Sequence, residues 1–474
     1  MELRFFGATG TTTGSCHMLR SEGRSVLLDC GLFQGRREES RERNERFGFD
    51  PAEVGAVIQS HAHIDHSGKL PMLQKGGFRG AVHATGATRD LCEVLLADSA
   101  HIQLQDTEFL NRQRARGEAP RGRLLPQRDV QPLYLEKHVR ELMPRFRSHA
   151  YSEWFEALPG MRFRFRDAGH ILGSAWIEAE IKESNAVRRL VFTGDYGRYH
   201  QPILRDPEPL SEADVLISES TYGNRLHPPM QDLSGELRDA VERLEQRGRG
   251  RLLIPAFAVG RTQNILYEFA RMCRAGACPN VRFVVDSPLA TTATRIVYEH
   301  PECFDAEALA QYKQLQEEDS FRARLVFTSS VDESKALNDD PRPTVLISAS
   351  GMMESGRILH HLAWNVSKPE TEILIVGFQA EHTLGRRLLE GASEVRIFGL
   401  MHSVRARITP MLGFSAHADR DELLHALVPV AGRAQALFLV HGENDQRTPL
   451  AEELRRSGFR RVELPEGPER FRIP

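Results

Sequence analysis

Ala56-Val57-Ile58-Gln59-Ser60-His61-Ala62-His63-Ile64-Asp65-His66 opens as a short apolar run and closes as three imidazoles and a carboxylate within six residues. Such groups are costly to pack unless something compensates them. On a loop leaving a strand they can converge on one point. Imidazole and carboxylate without thiolate suit a Zn²⁺ that must keep a coordination position open for water. The bland alternative is a solvated polar loop. A lone histidine would favour it; three with an aspartate do not.

Further acids and imidazoles stand where other strands end. Asp167-Ala168-Gly169-His170 closes the run 162–166, Thr193-Gly194-Asp195 closes 190–192, and Val440-His441-Gly442 closes 436–439. A glycine beside each lets the backbone turn sharply and approach closely. Asp29 also ends a strand, and is better placed to orient a ligand histidine from behind than to bind metal itself. Any one of these alone is more often a satisfied strand-end residue. Together with His61, His63, Asp65 and His66 they supply enough ligands for two metal ions.

Around these points the chain reads as strands at 25–29, 56–59, 190–193 and 215–218 and as helices at 88–112 and 233–246, the latter stopping at Gly248. The alternation predicts an α/β protein with buried sheets. From residue 252 a second series begins, with strands at 252–256, 281–285, 344–348 and 372–376 alternating with helices at 262–275, 291–298, 357–365 and 384–390. That is the rhythm of a doubly wound domain. Between 305 and 343 the pattern weakens into polar sequence, expected as a helix with a long loop.

With 474 residues, 41% hydrophobic and 27% charged, the chain has material for two domains. A formal charge of −3 gives no global attraction for nucleic acid. The local cluster Arg112, Arg114, Arg116, Arg121 and Arg123 reads as a solvated loop or helix end. No run approaches the ~20 apolar residues of a membrane helix, and the start lacks a signal-peptide pattern. A cytoplasmic protein with no membrane partner is expected. Six cysteines without a Cys-x-x-Cys pair predict neither a disulfide framework nor a cysteine zinc knuckle.

Asp29, His61-x-His63-x-Asp65-His66, His170 and Asp195 resemble the ordered motifs of the metallo-β-lactamase superfamily. Ser218-Glu219-Ser220-Thr221-Tyr222-Gly223, Phe414-Ser415-Ala416-His417 and Val440-His441-Gly442-Glu443 resemble the three extra motifs of the β-CASP nucleases. Pro255–Arg261 and Ser348-Ala349-Ser350-Gly351-Met352 are also similar to segments of that family, so the resemblance spans essentially the whole chain. It is stronger to the nuclease subunit of the pre-mRNA 3′-end cleavage factor and its short bacterial relatives than to RNase J.

The resemblance implies a metallo-β-lactamase αββα sandwich over 1–208 and 394–474, with a doubly wound β-CASP domain inserted at 209–393. It implies two zinc ions: one held by His61, His63 and His170, the other by Asp65, His66 and His441, with Asp195 bridging. His417 would protonate the departing oxygen, held by Glu219, and Asp65 counts with these two as catalytic. Ser415 and the turn at Ser350 and Gly351 would contact phosphates. The implied activity is hydrolysis of single-stranded RNA, endonucleolytic, in RNA processing or decay, with a homodimer left open. A DNA repair nuclease of the Artemis type and a small-molecule metallo-hydrolase are the alternatives. The former usually carries valine where this chain has His441, and the latter would lack the inserted domain.

Overall fold

Strand Ala56–Ile58, fully buried, lies inside a seven-stranded sheet whose order is Arg470–Arg472, Glu2–Phe5, His17–Ser21, Arg24–Leu28, Ala56–Ile58, Ala81–Ala84, Phe146–Ser148. A second seven-stranded sheet runs Val462–Glu463, Ala436–Val440, Val215–Glu219, Ala186–Phe192, Ala175–Glu183, Met161–Asp167, Phe155–Leu158. One apolar core joins their inner faces: Leu3, Phe5, Val26, Leu28 and Ile58 from the first; Phe163, Ile177, Phe192, Ile217 and Phe438 from the second. Alternation assigns the other face. Leu216, Leu437 and Leu439 point outward into a cluster with Leu423 and Leu427 of helix Arg420–Leu427 and Leu450 and Leu454 of helix Asn444–Arg456. Strands covered on both faces read as continuous apolar runs, which is why they were legible.

The computed structural model describes residues 1–35, 37–116, 129–183, 186–227, 231–277, 280–314, 321–377, 379, 383–411 and 415–473. Two units result: Met1–Tyr199 with Pro207–Leu226 and His417–Pro474, and His200–Asp206 with His227–Ala416. The division differs from the expected 1–208, 209–393 and 394–474. Val215–Glu219 belongs to the first unit because it pairs with Ala186–Phe192 and Ala436–Val440. Arg407–Pro410 belongs to the second because it pairs with Thr371–Ile375.

The second unit is a parallel six-stranded sheet, ordered Leu325–Phe327, Arg282–Val285, Thr344–Ser348, Arg251–Pro255, Thr371–Ile375, Arg407–Pro410. Its two faces bury separate clusters, Leu252, Ile254, Phe283 and Val285 on one side and Leu253, Val284 and Ile375 on the other. This is the doubly wound arrangement expected. The stretch 305–343, expected as a helix with a long loop, holds a helix Ala306–Gln314, a strand Leu325–Phe327 and a second helix Val331–Asp339. The strand lies at the sheet edge, partly exposed, and its apolar run of three residues is too short to stand out. The second helix carried its own signal, the capping box of Ser330 and Glu333.

At the carboxyl end of strand Arg282–Val285, Asp286 is fully buried and accepts from Ser334 Oγ (2.6 Å), Arg357 Nη1 (2.6 Å) and His361 Nε2 (2.5 Å), and from Thr328 Oγ1. Burial alone would raise its pKa; these partners overcome that and hold it well below the usual carboxylate range. Cys273 is disulfide-bonded, while Cys16, Cys30, Cys92 and Cys303 are outside any disulfide. Among the described residues no helix is long and apolar enough to cross a membrane. Arg112 and Arg114 lie in the last turn of helix Gly86–Ala115, Arg116 caps it, and Arg121 and Arg123 lie outside the described residues.

Candidate metal centre

Strand Ala56–Ile58 ends three residues before His61, and helix Ile64–Ser67 begins directly after His63, its N-cap. One tight turn therefore presents His61, His63, Asp65 and His66 together. The chain crossing behind is glycine by necessity, since a Cβ on Gly31 would lie 1.6 Å from the Asp65 carbonyl oxygen. Asp29 and His441, both at strand ends, have φ of 61° and 48°, a region non-glycine residues seldom occupy and one that clusters at functional sites.

Two sets of ligand atoms meet. In the first, His61 Nε2 lies 3.1 Å and His170 Nε2 3.3 Å from His63 Nδ1, and Asp195 Oδ2 is 3.4 Å from His61 Nε2 and 3.5 Å from His170 Nε2. In the second, Asp195 Oδ1 is 3.2 Å from His66 Nε2, and Asp65 Oδ2 is 3.5 Å from His441 Nε2. The two oxygens of Asp195 thus face different sets. His61, His63, His170 and Asp195 lie close enough together to hold one metal ion and Asp65, His66 and His441 another, while Asp195, Glu219, His417 and His441 form a third such group.

Hydrogen bonds behind the rings decide which nitrogens point inward. Asp29 Oδ2 accepts from His66 Nδ1 at 2.7 Å, which leaves His66 Nε2 for the centre. The Ser60 hydroxyl donates to Asp29 at 2.8 Å, so at 3.0 Å it must accept from His61 Nδ1–H, again freeing Nε2. The Thr221 hydroxyl donates to the His441 carbonyl at 3.0 Å and by the same reasoning accepts from His441 Nδ1–H at 3.0 Å. Ser60 and Thr221 had no role in the sequence reading. Thr221 sits inside a quoted motif, and Ser60 immediately precedes His61.

The residues fit metal ions. His66 Nε2, Asp195 Oδ1 and His441 Nε2 are buried with no hydrogen-bond partner, which a folded protein seldom tolerates without a ligand. Among the described residues Asp29, Asp65, Asp195 and Glu219 form ion pairs only with histidines, a surplus of acids that bound cations would balance. Burial lowers the pKa of His61 and His170 and brings His63 to about 3, keeping these rings in the neutral form that donates a lone pair. His66 is the exception. Burial lowers its pKa too, but Asp195 and Asp29 on either side push it well above the ordinary value.

His417 stands beside these sets. Its Nδ1 is 3.1 Å from Glu219 Oε2, and its ring lies over His170 at 4.5 Å between centroids. Glu219 is fully buried, and Tyr196 N donates to its Oε1 at 2.5 Å. Burial depresses the His417 pKa, but Glu219 and Asp195 outweigh it and lift it to about 9. The side chain keeps 21% of its surface exposed. Ser350, Gly351 and Ser415 belong to the second unit, and Phe414 lies outside the described residues. Ser350 Oγ accepts from Glu354 N at 3.3 Å, Gly351 O accepts from Gln379 Nε2 at 3.1 Å, and Ser415 is buried.

A metal-dependent hydrolase of the metallo-β-lactamase type is the class that this sandwich and cluster define. Residues 9–100 match the profile of the metallo-β-lactamase superfamily, 262–388 that of the Beta-Casp domain, and 401–465 that of a Zn-dependent metallo-hydrolase RNA specificity domain. Ribonuclease TTHA0252 of Thermus thermophilus is 37% identical over 446 residues, 94% of each chain. Transcription termination factor FttA of Methanothermobacter thermautotrophicus is 28% identical, over 97% of this chain and 70% of that one. A crystal structure of a protein of unknown function from Enterococcus faecalis V583 superposes with a TM-score of 0.54 over 99% of both chains, at 11% identity, which speaks to the fold alone. The chain belongs to the β-CASP ribonuclease family of the metallo-β-lactamase superfamily.

Proposed function

We propose that this chain is a zinc-dependent ribonuclease that cuts internal phosphodiester bonds of single-stranded RNA. The observation that carries the reading is the division of Asp195, one oxygen toward His61, His63 and His170 and the other toward His66 and the Asp65–His441 pair. One zinc would take His61, His63 and His170, a second Asp65, His66 and His441, with Asp195 shared. Zinc bound there would supply Lewis acidity and lower the pKa of a water toward neutrality. Asp29, Ser60 and Thr221 hold the imidazoles in the tautomer that binding needs. His417, charged at neutral pH and anchored through Nδ1 to Glu219, is the proposed proton donor to the departing oxygen. Ser415, Ser350 and Gly351 are assigned to substrate phosphates.

Support for RNA comes from the relative named a ribonuclease and from the RNA specificity profile over 401–465. The test pairs metal analysis with cleavage of oligonucleotides labelled at either end and differing only in sugar. About two zinc ions per chain are expected, with internal RNA products formed at least ~10-fold faster than from DNA, ~1.4 kcal/mol in transition-state terms. Less than one zinc in well-folded protein refutes the two-metal centre. Equal or faster cutting of DNA moves the chain to the DNA-repair branch.

A further inference from the structure

Few large apolar side chains of the second unit are strongly exposed, and several of them gather on one small element. Strands Glu394–Ile397 and Leu400–Ser403 form a separate antiparallel hairpin. Its inner side, Val395 and Ile397, is buried in the core cluster that also holds Ile358 and Leu362 of helix Arg357–Asn365. Its tip and outer side leave Phe398 58%, Leu400 67% and Met401 52% exposed, and Trp364 on the helix is 51% exposed. The His360 ring meets Phe398 at 4.6 Å between centroids, and Trp364 follows His360 at i+4, on the same face of the helix.

Cations are interleaved with these rings. Lys368 Nζ lies over the Trp364 indole at 5.2 Å. Arg396 stands on the hairpin, donating to the Gly399 carbonyl, and Arg405 follows it, its backbone N–H bonded to Val366 O at the end of the helix. Among the described residues none of the three cations forms an ion pair with a carboxylate, although ion pairs elsewhere in the chain are plentiful. An interface for an apolar protein surface depletes charge at its centre, whereas rings alternating with unneutralised cations match a strand of bases and phosphates.

We propose that the hairpin and helix form a base-stacking platform for single-stranded RNA, with His360, Trp364 and Phe398 taking bases and Lys368, Arg396 and Arg405 taking phosphates. The inference rests on the proposed substrate and adds a binding site outside the metal centre. The rings are held ready, since Val395, Ile397, Ile358 and Leu362 fix the two elements that carry them. Binding therefore spends little on ordering the protein. Bases of any identity have a π-face, so the platform tolerates sequence but not a duplex, whose bases are already stacked.

The experiment measures anisotropy of a labelled single-stranded RNA of about 20 nucleotides on full-length protein made cleavage-incompetent by Asp195→Ala, and cleavage of the same RNA by otherwise unchanged protein. Trp364→Ala with Phe398→Ala should weaken binding by ~10-fold or more, since each base–ring stack is worth several-fold to a hundredfold. Trp364→Phe with Phe398→Tyr should restore it. Arg396→Ala with Arg405→Ala should lower the salt slope by about 1.4, at ~0.7 per phosphate. Circular dichroism controls for folding. Unchanged affinity in the alanine pair overturns the platform. So does full retention by Trp364→Leu with Phe398→Leu, which would make the surface merely apolar, or a dimer in light scattering that the alanine pair dissolves, which would make it a self-association face. If the unchanged enzyme cuts RNA while the alanine pair binds normally, the platform alone falls. If RNA binds as described but is not cut, the proposed activity falls and the platform stands.

Discussion

Replacing Glu219 by glutamine removes the negative charge that holds His417 protonated while leaving an amide of the same size in its fully buried place. The group is lifted from an ordinary 6.5 to about 9, against burial, by Glu219 first and Asp195 second. The sign follows. A raised histidine pKa means the charged form persists until pH passes the raised value, so losing the carboxylate moves the loss of acid to lower pH. If the pKa returns to 6.5, the protonated fraction at pH 8 falls from about 0.9 to about 0.03, a ~30-fold loss, whereas at pH 6 it falls only from about 1 to about 0.8. The assay is kcat on RNA across that range, with zinc content measured on the same samples. The alkaline limb should move down by two pH units or more, with metal retained. A Glu219→Gln defect of equal size at pH 6 and pH 8 would refute proton control through this pair and leave Glu219 a purely positional role.

His417→Ala should lower turnover by ~10²–10⁴-fold with metal content intact in the same preparation; loss of metal would make His417 a ligand instead. Asp29→Asn removes an anion that accepts from His66, Ser60 and Gln59. Zinc affinity in a chelator competition should fall by roughly 10–100-fold, as expected for partners behind metal ligands. In the second unit, Asp286→Asn leaves Arg357 and His361 without their carboxylate, and denaturant titration should show destabilisation on the order of 3 kcal/mol. Because the Asp286 carboxyl is held below its ordinary range, the stability it contributes is present above about pH 4 and is lost as pH falls further. Acid titration of wild type and variant should therefore converge at low pH.

The metal-site candidates were legible because each is marked by local pattern. His61, His63, Asp65 and His66 crowd one turn, Asp195 and His441 each follow a buried apolar run, and His170 follows a strand whose phenylalanines alternate with arginines. The roles of Ser60 and Thr221 were not legible, since Thr221 meets the His441 ring across the fold and Ser60 accepts from His61 only because its own proton goes to the distant Asp29. The contact-based division departs from the expected domain limits for a related reason. Strands Val215–Glu219 and Arg407–Pro410 are assigned by partners far away in sequence, and composition does not change at either. The edge strand Leu325–Phe327 is apolar but only three residues long and partly exposed, and the hairpin strands Glu394–Ile397 and Leu400–Ser403 lack the continuous apolar run that betrays a central strand.

Arg420 N donates to Arg225 O at 3.0 Å, and Tyr222 bridges Asp419, so the chain leaves the first unit and rejoins it at neighbouring points. Translation then imposes an order. His61, His63, His170 and Asp195 have all emerged before residue 200, but His417 and His441 follow only after the whole second unit. A ribosome-bound chain can present the first candidate set before the residues proposed as proton donor and as last ligand of the second have been made. Domains fold as they are synthesised, amino-terminal portions first, and closure across so long an insertion costs little more than across a shorter one because loop entropy grows logarithmically. The order of synthesis thus makes the pairing of strand Ala436–Val440 beside Val215–Glu219 the late step that brings His441 to the cluster.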